Sequence, residues 1–279
     1  MLIDTELLAQ YSNSKRGLSV RTKEEYLNDI NILLRSLPVE NLSDITVDHI
    51  ERFLDSRHVS SSLVNRRLSA FNSFFKYLMR RGLVQSNPSS LVERQRMNST
   101  LPRVLDQKKM EKLRKACKTP VAQAIVEILY NTGARFSEIQ SCDLDDINLE
   151  DMTLRVLGKG GTERLIPVSS SLIPLITAYL QWRLERVKDD ETALFITPTR
   201  GRRISKSWLS KLMASLRTAT GIIGFRAHLL RHTFATDAIN RGAKRESVQV
   251  MLGHKRPSTT DIYIHITPDV REDHRKAFP

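Results

Sequence analysis

Five short segments, far apart in the chain, hold residues able to act on a phosphate. His228-Leu-Leu-Arg231-His232 places an imidazole and a guanidinium three positions apart, so on a helix they share one face. Near the start of such a helix, free N–H groups add a further preference for an anion. Gly133-Ala-Arg135-Phe-Ser-Glu138 supplies a second guanidinium, and Gly158-Lys159-Gly160 an ammonium on a glycine-rich turn. Leu252-Gly253-His254 adds another imidazole, and Thr259-Thr-Asp-Ile-Tyr263 a phenol. Gathered round one phosphate, such cations stabilise the charge of a phosphoryl-transfer transition state without a metal. A tyrosine oxygen beside them is a candidate nucleophile.

Each residue also has a plainer reading. Tyr263 lies among Ile262, Ile264 and Ile266, the setting of an ordinary half-buried tyrosine. Arg135 is placed to pair with Glu138 at i, i+3, and Lys159 sits where solvent lysines are common. Glu138 and Asp146 read as supports, and His232, His265 and His274 as structural or exposed histidines. His228 and His232 have the spacing of a zinc pair, but Leu229 stands where HExxH carries its glutamate, so no metal site is expected. The glycine turn lacks the GxxxxGK[ST] pattern of a nucleotide loop. Cys117 and Cys142 are outside any CxxC pattern and too few for a disulfide framework. No cofactor is expected.

The elements that must position these residues are mostly helical. Apolar residues recur at helical spacing over Val20–Ser36 and over Asp44–Arg57. Ser60–Arg81 gives the clearest stripe, with Val64, Leu68, Phe71, Phe75 and Leu78 on one face and Gly82 as a C-cap. The polar, basic stretch from Glu93 to Arg103 reads as a linker. Asp106 is placed to cap a helix over Gln107–Ala116. Thr119 does the same for Pro120–Tyr130, which has Pro at its first position and Gly133 beyond its end. Thr153–Leu157 and Glu163–Val168 flank a Gly-Lys-Gly-Gly turn, a hairpin signal. Further helices are expected near 171–187, 205–218, 227–240, 245–252 and 259–264. Pro268 should end the last of these, leaving 269–279 as a short polar tail with an exposed Phe278.

Charge is distributed in blocks. The 279 residues carry 44 Lys and Arg against 31 Asp and Glu, a net charge of +13, which points to a polyanionic partner. Ser56 to Val92 holds no carboxylate but has Arg57, Arg66, Arg67, Lys76, Arg80 and Arg81. Thr192 to Thr236 is likewise free of acids. Solvated helix faces normally mix both signs, so DNA or RNA contacts are expected, with Arg66, Arg67, Lys76 and Arg80, and Arg202, Arg203 and Lys206, as the candidates; a ribosome-associated or simply basic protein is the plainer reading. Few aromatics are interleaved, which favours the backbone of a duplex over stacked single strands. Neither a signal-peptide core nor a membrane-length apolar run is present in the sequence.

Taken in order, Gly133-Ala-Arg135-Phe-Ser-Glu138, Gly158-Lys159-Gly, His228-Leu-Leu-Arg231-His, Leu252-Gly-His254 and Thr259-Thr-Asp-Ile-Tyr263 resemble the tyrosine recombinase (integrase) family in its simple two-domain, Xer-like form. The likeness runs over nearly the whole chain. Phe136 stands where a smaller aliphatic residue is usual, and Lys255-Arg256-Pro257 makes one loop more basic. The resemblance implies a mainly α fold with a small antiparallel β-sheet. Residues 1–94 would form a helical bundle, the SAM-like core-binding DNA clamp, 95–103 a linker, and 104–279 an α+β catalytic domain with a C-terminal tail.

The family's pattern carries over onto Arg135, Lys159, His228, Arg231, His254 and Tyr263. By that resemblance Tyr263 attacks a scissile phosphate, giving a 3′-phosphotyrosyl link and a free 5′-hydroxyl. Arg135 and Arg231 donate to the non-bridging oxygens, Lys159 protonates the leaving 5′-oxygen, His228 takes the tyrosine proton or holds the phosphate, and His254 completes the donor set. The resemblance further implies two domains gripping opposite faces of a double-stranded, palindrome-like core site. Four protomers on two duplexes would exchange strands through a four-way junction, each tail packing on a neighbour. The implied role is Xer-like resolution of DNA dimers in chromosome segregation, cytoplasmic and nucleoid-associated. Plasmid or phage integration, a type IB topoisomerase-like relaxing activity, and a non-catalytic DNA-binding protein are the alternatives.

Overall fold

The elements start where the capping residues stand. In the computed structural model, residues 5–56, 59–96, 103–158, 161–253 and 268–279 are described. The chain divides into two compact units, Met1–Thr100 and Leu101–Pro279. In the first unit, α1 (Thr5–Ser14) lays Leu7, Leu8 and Tyr11 inward. The Ser19 hydroxyl accepts the Thr22 N–H at the head of α2 (Val20–Ser36). The helix expected over Asp44–Arg57 is shorter: Leu42–Asp44 makes a 3₁₀ turn, and Thr46 caps α3 (Val47–Asp55) by accepting the His49 N–H. Ser60 caps α4 (Ser61–Arg80), whose expected stripe is buried together with Ala70, Phe74 and Tyr77. α2 and α4 pack together, with Ile30, Leu33, Phe71 and Phe75 in the core between them.

In the second unit, Asp106 accepts the Lys109 N–H at 2.8 Å and begins α5 (Gln107–Ala116). α6 (Pro120–Thr132) is buried on nearly all sides, as its apolar run requires, and stops at Gly133 with φ of 60°. A Cβ at Gly133 would meet Phe234 Cδ1 at 2.4 Å, so this glycine serves both the left-handed turn and a close helix contact. After α7 (Phe136–Ser141) come β1 (Ile147–Asn148), β2 (Thr153–Leu157) and β3 (Glu163–Pro167), an antiparallel sheet in that order with Val156 opposite Arg164. α8 (Ile173–Leu184), α9 (Lys206–Thr220), α10 (Ala227–Asn240), α11 (Arg245–Leu252) and α12 (Pro268–Ala277) follow. α10 packs on α6, and α12 on α10 and α11. The fold is thus mainly helical with a small antiparallel sheet, as the sequence indicated.

The reading of the tail is corrected. Pro268 begins a helix, and Phe278 is 3% exposed rather than free. Its ring stacks on Phe234 at 5.1 Å and meets Tyr130 edge-on at 5.5 Å. Polar bonds hold the rest: Asp273 accepts the Ser247 hydroxyl at 2.6 Å and the Lys244 N–H at 3.1 Å, and Ser169 donates to the Pro279 carbonyl at 2.6 Å. His274 Nε2 lies 2.9 Å from the Asn131 carbonyl. Apolar area alone was a poor guide because these bonds satisfy the polar groups that docking buries. In the single chain the tail therefore packs within its own unit. The helix expected over 259–264 lies outside the described residues.

Candidate active site

Three arginines from three different elements converge on the C-terminal end of α11. Arg164 Nε of β3 donates to the Met251 carbonyl at 3.0 Å, Arg231 Nη2 of α10 to Leu252 at 2.6 Å, and Arg135 Nη2, just before α7, to Gly253 at 3.4 Å. The last carbonyls of a helix lack partners within it and carry its negative dipole end. Cations are therefore held there by charge as well as by hydrogen bonds. Arg231 Nη1 also donates to the Gly133 carbonyl at 2.7 Å, which links α10 to the end of α6. A guanidinium has more N–H groups than these bonds consume, so Arg135 and Arg231 keep donors for a ligand.

Glu138, 2% exposed, is the counter-ion. Its carboxylate accepts Arg135 N–H at 2.6 Å and Arg135 Nη1 at 2.8 Å, and it takes Arg164 through both Nη1 and Nη2 at 2.8 Å. Burial by itself would push this carboxyl up, but the Arg164 bonds and charge, followed by the Arg135 donors, outweigh it and hold the pKa at about 2. Arg231 is pulled down to about 10 by burial and by its neighbours Arg135 and Arg164, and it stays charged at neutral pH. Among the described residues, three guanidiniums face one carboxylate, a balance that suits the cluster to an anion.

His228 lies in the first turn of α10, exposed beside exposed His232. Partial burial, then its neighbours Arg231, His232, Arg226 and Arg135, lower its pKa below the ordinary 6.5. The imidazole is therefore neutral at pH 7 and able to accept a proton. Arg135, His228 and Arg231 are thus brought together. Lys159, His254 and Tyr263 lie outside the described residues. The described residues adjoining Lys159 and His254 are Gly158, whose N–H donates to the Thr162 carbonyl at 2.7 Å to close the hairpin, and Gly253, which ends α11 at φ of 64°.

The residues expected to bind DNA divide into two groups. Lys76, Arg80 and Lys206 are exposed. Arg66 and Arg67 instead flank buried Asp29 of α2, Arg66 Nη1 at 3.0 Å and Arg67 Nε at 3.5 Å, and Arg66 also reaches Glu25 at 3.5 Å. Their acids come from a neighbouring helix, which the acid-free run around them did not reveal. Arg202 pairs with Asp189, and Arg203 pairs with Asp143 and donates to the Cys142 carbonyl at 3.1 Å. Cys117 and Cys142 are free and buried, their thiols pushed up to about 11 and about 12 mainly by burial.

The motif segments leave out Arg164. A signal was present: strand alternation puts it on the inward face with Ile166, and a charge there requires a buried partner.

Residues 103–269 match the phage integrase family, and residues 6–82 match the phage integrase N-terminal SAM-like domain. This chain belongs to the phage integrase family. Like its relatives it is a tyrosine recombinase, an enzyme of site-specific DNA recombination, and the Xer-like form is the one favoured. Tyrosine recombinase XerC of Oceanobacillus iheyensis is 33% identical over the whole of this chain and 96% of its own. Tyrosine recombinase XerD of Proteus mirabilis is 32% identical over 91% of this chain and 86% of its own. Among solved structures, a lambda integrase (75–356) dimer bound to a COC′ core site superposes with a TM-score of 0.74 at 21% identity, over 90% of this chain and 94% of that one. XerA recombinase superposes with a TM-score of 0.52 at 24% identity, over 99% of both chains. No helix among the described residues is long and apolar enough to cross a membrane.

Proposed function

We propose that this recombinase cleaves and rejoins DNA with Tyr263 as nucleophile, Arg135 and Arg231 as donors to the scissile phosphate, Lys159 as the acid for the leaving 5′-oxygen, His228 as proton acceptor and His254 as a further donor. The observation that carries this reading is the anchoring of Arg135 and Arg231 on adjacent carbonyls, Gly253 and Leu252. The anchors place two guanidiniums side by side at one point, where they can meet the two non-bridging oxygens of one phosphate. Tyr263 Oη would displace the 5′-oxygen, forming the phosphotyrosyl bond as the P–O5′ bond breaks. The tyrosine proton goes to His228, and the leaving oxygen gains one from Lys159. Religation reverses each transfer, so the reaction conserves bond energy and needs no cofactor.

The substrate in this reading is a duplex with a short, palindrome-like core site, and the role is Xer-like resolution of DNA dimers at the nucleoid. Lys76, Arg80 and Lys206, exposed in their respective units, would contact the DNA backbone, with Arg66 from its partly paired position. Four protomers would act on two duplexes. On assembly, the α12 of one protomer would take the same seat on its neighbour that it occupies within the single chain.

Tyr263→Phe tests the core of the proposal. It should bind DNA as the unaltered protein does yet give no covalent adduct on a nicked suicide duplex, because only the nucleophilic oxygen is removed. The duplex is built on the sequence recovered from covalently trapped genomic DNA. An adduct that persists in this variant shows that the nucleophile lies elsewhere.

A further inference from the structure

Arg164 touches Glu138, the counter-ion of Arg135, and the end of α11 on which the arginine pair rests, without belonging to that pair. Its Nη1 and Nη2 take the two oxygens of Glu138 at 2.8 Å each, and its Nε takes the Met251 carbonyl at 3.0 Å. All of this happens at a side chain 4% exposed. The arrangement uses the full fork of a guanidinium, which a lysine ammonium cannot reproduce. Gly253 completes the fit: a Cβ there would stand 3.0 Å from the Arg164 guanidinium.

We propose that Arg164 is a positioning residue for DNA cleavage: by neutralising Glu138 and gripping the end of α11, it leaves the charge of Arg135 available to the scissile phosphate. The inference rests on the reading of Arg135 and Tyr263 given above. Without Arg164, the only cation left on the buried Glu138 carboxylate among the described residues would be Arg135. A buried carboxylate claims whatever partner remains, so Arg135 would be drawn inward and its charge spent before DNA arrives. Stability alone gives a weak account of the fork, because a buried ion pair is often matched by apolar residues of equal volume. Arg164 also stands on the strand that follows the Lys159 turn. One side chain thus ties that hairpin to the segment preceding His254.

The test is single-turnover cleavage of the nicked suicide duplex at saturating DNA, with affinity and melting temperature measured alongside. Arg164→Met should cleave about 10²-fold more slowly while binding DNA within about threefold of the unaltered protein, the range lost with one positioned catalytic donor. Arg164→Met combined with Glu138→Gln should recover at least about tenfold over Arg164→Met, because the buried negative charge that captures Arg135 is gone. If Arg164→Met does not fold, Arg164→Lys replaces it and should cleave about tenfold more slowly at unchanged affinity. Cleavage by the folded single variant at the unaltered rate overturns the proposal. So does a double variant no faster than Arg164→Met. Failure of the unaltered protein to cleave at all would instead count against Tyr263 and the arginine pair.

Discussion

His228 and Arg231 share a face of α10 but meet different surroundings. Arg231 is buried and tied to two carbonyls, while His228 is only partly covered and stands beside Arg226 and Arg135 as well. Burial and those positive neighbours disfavour the imidazolium, so the folded-state pKa lies below 6.5. The sign follows: as pH falls below 6.5 the unfolded chain takes up the proton first, so stability tied to this group is present above that value and is lost as pH falls through the folded pKa. Cleavage should accordingly hold its rate to a pH below 6.5 and then decline. His228→Gln should slow cleavage by about 10²-fold at pH 7, the lower range for a lost general base, and should flatten that acidic limb. A pH–rate profile of both proteins checks this, and an unchanged limb in the variant would assign the titration to another group.

At the scale of elements, α11 is held at both ends by other parts of the unit. Its first turn has no side-chain cap of its own at Lys244; Asp273 of α12 accepts the Lys244 N–H and the Ser247 hydroxyl instead. Its last carbonyls receive Arg164, Arg231 and Arg135. Gly253 lets the chain leave at φ of 64° directly over Arg164. Gly253→Ala should cost about 1–2 kcal/mol through left-handed strain and slow cleavage about tenfold by displacing Arg164. Gly221 ends α9 at φ of 63° with nothing within 4 Å of an added Cβ, so Gly221→Ala should show the strain and keep the cleavage rate. Denaturant unfolding and single-turnover cleavage of the pair separate strain from displacement. Equal rates in the two variants would remove the significance given to the Arg164 contact.

Over the whole molecule, the tail is tied to the site, and in the proposed exchange it would connect assembly with that site. α12 caps α11, and α11 carries the carbonyls on which the arginines rest. A tail supplied by a neighbour would make the same cap, so each protomer's site would be complete only when some α12 is seated. Deleting 269–279 should leave single-site DNA binding intact, raise hydrogen exchange over 245–252, and weaken synapsis and strand exchange. Loss of the cap alone is worth about 1 kcal/mol. Full-rate recombination of two sites by the truncated protein would show that the tail has no part in assembly.

Much of this protein is determined locally and could therefore be read in the sequence. Asp106 and Thr119 with Pro120 act within a turn of their own helices, as does the left-handed turn at Gly133; these effects depend on neighbours three or four residues away. The hairpin and the apolar stripe of α4 follow from period alone, and the ordered Arg, Lys, His-x-x-Arg, His and Tyr segments identify the family before any coordinates. The tertiary structure decided what depends on distant partners. Alternation turns Arg164 inward but does not say that Glu138, 26 residues away, receives it. The acid-free run around Arg66 and Arg67 gives no hint of Asp29 on α2. The polar tail offers too little apolar surface to predict its seat, which Asp273, His274 and Phe278 find on three other elements. Caps, turns and periods are short-range and survive in the sequence. Buried charge is satisfied only across the fold, where the partner is set by packing.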